Sequence, residues 1–261
     1  MPDHASVFSA AGAEVLSFAR RLARDTSLWA TSGTWYRTWP YKTGHERPLG
    51  RAPESRHGGH MPTKTRDQSK GTHHAWVNAT GNWVYYVDEV DRLAWIRRLV
   101  QVLARYDWTC LAFCQMTTHV HLLVTVPAGS LAIGMRDLNL EYSKDFNARH
   151  GRVGSFIRKR YGSRRTEGGT DLLGTYAYVV LNPVREGMCP RAEDWRWSSY
   201  ATTLGISNDF PFVDASTVLD ELDGSPAALR DFVASRHEAG TRRKGHVGYQ
   251  VPDVPRGAIA E

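Results

Sequence analysis

From residue 73 onward the chain shows short alternating runs that give way to helical steps. "HHAWVNAT" (73–80) alternates as a strand does, and a turn at Gly81-Asn82 follows. "DEVDRLAWIRRLVQVLARY" sets Val90, Leu93, Ile96, Val100 and Leu103 at three- and four-residue steps, with acids ahead and basic residues behind. That order suits the helix dipole and predicts an amphipathic helix. "TCLAFCQM" and "HVHLLVTVP" read as two strands joined by a turn at Thr117-Thr118. A second helix is predicted over 130–148 and a basic strand over "SFIRKRYG". A third helix spans 169–181 and closes on Asn182-Pro183, because the residue before a proline is pushed away from helical dihedrals.

The order over 73–161 is strand, helix, strand, strand, helix, strand. It predicts an α+β fold: a ferredoxin-like split βαβ, with an antiparallel sheet and helices on one face. A further helix and a helical tail follow it. Three segments result: an N-terminal extension (1–72), a central domain (73–205) and a helical C-terminal tail (206–261). Within the tail, "SPAALRDFVASRH" starts a helix with Ser225 as N-cap and Pro226 as its first residue. Within the extension, 7–24 reads as an amphipathic helix and 40–72, rich in Gly, Pro, Ser, Thr and basic residues, as a poorly ordered linker. Trp29, Trp35, Tyr36 and Trp39 interleave with Arg37 and Lys42, which suits either base stacking or a small aromatic cluster on the central domain.

Composition narrows the class. Cys110, Cys114 and Cys189 form no CxxC pair, which argues against a disulfide framework or a thiolate zinc site. No apolar run reaches the roughly 18 residues needed to cross a bilayer, and the N-terminus lacks the basic start of a secretory signal. The expected setting is cytoplasmic, with no membrane partner. A formal net charge of +6 favours a polyanionic partner such as nucleic acid.

Three constellations carry chemistry. In "MTTHVHLLV" strand alternation sends His119 and His121 to one face and Val120, Leu122 and Val124 to the other, so the imidazoles stand side by side where they could grip one metal ion. With 11 histidines in 261 residues, roughly one such pair per two chains arises by chance, so the motif alone decides little. In "TYAYVVLNPVREG", Tyr178 and Asn182 share a helix face at i and i+4, which lets a phenol and an amide reach the same point on the sheet. A phenol with a pKa near 10 is a poor nucleophile, but a divalent ion that neutralises phosphate oxygens makes its attack on a phosphodiester feasible. Between Asp145 and Glu167 there are no acids, while Arg149, Arg152, Arg158, Lys159, Arg160, Arg164 and Arg165 are basic. With Phe156 and Tyr161 interleaved, this run suits phosphates and unstacked bases.

At these blocks the sequence resembles the single-tyrosine HUH transposases of the IS200-like family, and within it the REP-associated tyrosine transposases. The resemblance rests on "MTTHVHLLV", on "EYSKDFNARHGRVGSFIRKRYGS" and on "YVVLNPVREGM" with the later "EDWRWSSY". It covers about residues 73–205, and "PFVDASTVLDELDGSPAALRDFVASRHEAG" is similar to the helical tail of such proteins. The resemblance implies that His119, His121 and Asn182 bind Mg²⁺ or Mn²⁺. It implies that Tyr178 attacks single-stranded or hairpin DNA, forming a 5′-phosphotyrosine and releasing a 3′-hydroxyl. The chain departs from the family pattern at Thr117-Thr118 and in "SFIRKRY", which is more basic than its counterpart. Tyr142 and Tyr176 are rival nucleophiles; Tyr176 lies about 200° around the helix from Tyr178, so both cannot face one ion.

The expected activity is therefore metal-dependent DNA cleavage and strand transfer through one tyrosine. A DNA-binding regulator that no longer cleaves and a hydrolase of small phosphodiesters are the alternatives; monomer and homodimer stay open.

Overall fold

The computed structural model describes residues 67–80, 84–157 and 160–243. The helix expected over 7–24, the aromatic cluster from Trp29 to Trp39, the turn at Gly81-Asn82 and the side chains of Arg158 and Lys159 lie outside the described residues.

The central order is β1 (Gly71–Asn78), α1 (Glu89–Tyr106), β2 (Thr109–Gln115), β3 (His119–Val126), α2 (Ser130–Arg149) and β4 (Gly162–Thr166). The strands form one antiparallel sheet in the order β2-β3-β1-β4, the ferredoxin-like arrangement. α1 begins at Asp88, whose carboxylate accepts from the Asp91 amide at 3.2 Å, and Glu89 and Asp91 put negative charge on its first turn. It ends at Asp107, a left-handed residue at φ 54° whose N–H returns to the Leu103 carbonyl. α2 buries Leu131, Met135, Leu138, Tyr142 and Phe146, a stripe at helical spacing. α1 and α2 together cover the face carrying Ala75, Val77, Val120, Leu122 and Val124. A bulge between Cys110 and Ala112 shifts the alternation of β2, so Phe113 belongs to this core while Leu111 and Ala112 face the other side.

The second face has its own core. Over it lie α3 (Thr170–Val180), the short α4 (Asn182–Arg185), α5 (Tyr200–Thr203), α6 (Ser216–Leu219) and α7 (Pro226–Arg243). Leu173, Tyr176, Ala177 and Val180 of α3 pack with Leu111 and Leu123 of the sheet. The sheet face expected to be open is thus roofed at one end and leaves a cavity at the other.

Four expectations are corrected. Residues 40–66 of the expected linker lie outside the described residues, and its expected end at 72 falls inside β1, which begins at Gly71. The fourth strand is "GSRRT", not "SFIRKRYG"; in the earlier segment Ile157 makes an isolated bridge to Ala79. Pro183 does not end the helical path: Leu181 stays right-handed and the backbone continues through Arg185, because proline fits a first helical turn without losing a needed N–H. The segment after 206 is not peripheral. Phe210 and Phe212 join the first core, Leu229 and Val233 of α7 the second, and α7 continues to Arg243. Ser225 does cap α7, its hydroxyl accepting from the Ala228 amide at 3.1 Å. Among the described residues no helix is long and apolar enough to cross a membrane.

Candidate active site

The site grows from strand register. Across β1 and β3, Asn78 pairs with His119, Trp76 with His121 and His74 with Leu123; across β1 and β4, Arg164 pairs with His74 and Gly162 with Trp76. Paired residues share a sheet face, so His74, Trp76, Asn78, His119, His121 and Arg164 come together beneath α3. They line a cavity of about 660 Å³ that also receives Tyr178 and Asn182.

The two imidazoles of the His-x-His strand stand edge to face, centroids 4.9 Å apart. The phenol ring of Tyr178 lies 5.6 Å from the rings of both His121 and His74. Tyr178 is 45% exposed, so its ring is held at the cavity and reachable from solvent, whereas His121 is 5% exposed. Asn182, one turn on, donates both amide hydrogens to backbone, to Tyr178 O at 2.7 Å and Val179 O at 3.3 Å. Its side-chain oxygen is then the polar atom left for a ligand. The structure therefore brings His119, His121, Tyr178 and Asn182 to one place.

Burial pushes the His121 imidazole far below the ordinary histidine range, and neighbouring His74 and His119 add to the effect. His74 is lowered by burial and then by the Arg164 charge. His119 is lowered by burial, opposed by Glu186. All three rings are neutral at pH 7, the form in which imidazole binds a cation.

The donor set suits a hard divalent ion with open positions: two neutral imidazoles and an amide oxygen. His121 Nε2 is buried without a hydrogen-bond partner, an orphaned atom that a bond to a cation would satisfy. Among the described residues no group of three or more His, Cys, Asp and Glu side chains is placed to hold a metal.

Two cations flank the tyrosine. Arg164 reaches across from β4 to α3, Nη2 donating to Asp171 Oδ1 at 2.8 Å and to Thr175 Oγ1 at 2.6 Å. The Arg185 guanidinium sits 5.2 Å from the Tyr178 ring centroid. The rival tyrosines are elsewhere: Tyr176 is fully buried against Tyr200, and Tyr142 is buried in the other core, donating to the Tyr85 carbonyl at 2.7 Å.

Among the described residues the basic run does not form one rim. Phe156 is 0% exposed and stacks on Phe146, and Tyr161 is 6% exposed with its hydroxyl accepting from Gln68, so neither offers a face to a base. Arg149 is committed to Asp88 and Asp91 at the start of α1, which raises its pKa, and Arg152 lies over the Phe146 ring. Arg160, Arg164 and Arg165 remain exposed. The sequence reading missed His74, Trp76, Asn78 and Arg185. Their signal was there in part: residues 74, 76 and 78 alternate on one face of the first strand, but only pairing with β3 shows which face.

No family model matches the chain, and no curated protein does. Among solved structures it is similar to a REP-associated tyrosine transposase bound to a REP hairpin. The identity is 18% and the TM-score 0.49, covering 60% of this chain and 93% of that one.

Proposed function

We propose that this chain is a metal-dependent DNA strand transferase in which Tyr178 is the nucleophile. The observation that carries the reading is the meeting of an exposed phenol with buried, neutral imidazoles in one cavity, the phenol ring 5.6 Å from His121. His119, His121 and the Asn182 oxygen would hold Mg²⁺ or Mn²⁺, which supplies charge neutralisation at the phosphate.

Tyr178 Oη attacks a phosphodiester of single-stranded or hairpin DNA. An O–P bond forms to the tyrosine, the P–O3′ bond breaks, the phenol proton is lost and the leaving oxygen becomes a 3′-hydroxyl. The reverse attack by a 3′-hydroxyl releases the phenol and joins strands. Tethering to α3 orients the ring, and the Arg164 and Arg185 charges favour a phosphate beside it. Arg160 and Arg165 extend that field along the region of β4, an edge strand, in a chain of formal net charge +6.

Labelled hairpin DNA and Mn²⁺ test this. A covalent adduct should form with the native chain and vanish with Tyr178→Phe. Persistence of the adduct in that variant would refute the nucleophile. Hairpin binding with no adduct from the native chain would mean a non-cleaving regulator.

A further inference from the structure

A histidine outside the motif holds one of the two within it. His74 Nε2 lies 2.9 Å from His121 Nδ1. His74 is 6% exposed, with Trp76 at 5.1 Å and Tyr178 at 5.6 Å between ring centroids, so its ring is fixed in place. A hydrogen bond between two ring nitrogens needs one N–H and one lone pair, and the surroundings decide which ring carries which.

If His74 donated, neutral His121 would carry its hydrogen on Nε2. That atom is buried with no partner, and a buried orphan N–H is rarer in proteins than a buried unfilled acceptor. If His121 donates instead, neutral His74 carries its own hydrogen on Nδ1, which is not among the buried atoms lacking a partner. The second arrangement leaves no orphan donor.

We propose that His74 is a positioning residue that sets the tautomer of His121: His121 Nδ1–H donates to His74 Nε2, leaving His121 Nε2 as a bare electron pair on a ring lining the cavity. An outer partner of this kind orients a ligating imidazole and raises its basicity. On the other ring of the pair, Thr118 Oγ1 lies 3.2 Å from His119 Nδ1. The assignment deepens the metal-dependent reading and rests on it for its consequence, though the tautomer itself can be read without metal.

Long-range ¹H–¹⁵N correlation on the full metal-free chain should show His121 protonated at Nδ1; protonation at Nε2 overturns the proposal. Mn²⁺ titration followed by the EPR signal of the free ion then reads the consequence. His74→Gln, whose amide oxygen can still accept, should keep Mn²⁺ affinity within a few fold, while His74→Phe should lose about 10–100-fold. Unchanged affinity in His74→Phe, or equal loss in both variants, also overturns it. If the native chain binds no Mn²⁺, the metal reading falls, and the NMR result still decides the tautomer.

Discussion

Gly162 and Trp76 are partners across β4 and β1, and a Cβ on Gly162 would overlap the indole ring of Trp76. The indole therefore lies over the edge strand because residue 162 has no side chain. Trp76 in turn lines the cavity beside His74 and His121.

Gly162→Ala should cost about 1–3 kcal/mol, the usual penalty for inserting a methyl group into a packed site, and should also weaken adduct formation by moving Trp76. Gly134→Ala provides the control. Its Cβ would overlap the indole of Trp108 in the other core, so it should lower stability similarly while leaving chemistry intact below its melting temperature. Urea denaturation with adduct yield on both variants checks this. Equal adduct loss in both would mean that the Trp76 contact has no special role.

Arg149 and Arg164 should separate stability from DNA binding. Asp91 is 1% exposed and accepts from Arg149 at 2.6 Å and from the Val87 amide at 2.8 Å. Arg149→Ala leaves that carboxylate less satisfied and should destabilise the fold by about 1.5–3 kcal/mol without changing DNA affinity. Arg164→Ala should do the reverse, weakening hairpin binding and reducing the slope of log K against log salt by about 1. Filter binding across a salt series, paired with thermal melts, reads both.

Acid should unfold the protein through its histidines before its carboxylates. His74, His119 and His121 have folded pKa values below the 6.5 of a free imidazole. Below pH 6.5 the unfolded chain therefore binds more protons than the folded one, and stability falls with falling pH. Above pH 6.5 these groups contribute no slope. Asp88, also lowered, adds its loss only near and below its free value of 3.8. Melting temperatures between pH 7.5 and 5 should decline, and His121→Asn should flatten the decline; an unchanged slope would contradict the assignment.

The buried tyrosines should prove structural. Tyr142→Phe leaves the Tyr85 carbonyl without its 2.7 Å donor and should cost about 1–3 kcal/mol, with adduct formation retained below the melting point. Tyr176→Phe should likewise keep the adduct. Loss of the adduct in either folded variant would make that residue a rival to Tyr178.

The order of elements, the cap at Ser225, the facing of His119 with His121 and the one-turn spacing of Tyr178 and Asn182 were legible in the chain, because each depends on backbone period and on neighbours a few residues away. The partners of those groups were not. His74 meets His121 only because β1 lies antiparallel to β3 in one register, and a one-residue slip would turn it to the other face. Arg149 finds Asp88 and Asp91, and Phe156 finds Phe146, through long-range packing, which took both residues out of the expected basic, aromatic rim. Local periodicity selects which side chains share a face; only long-range packing selects what that face meets.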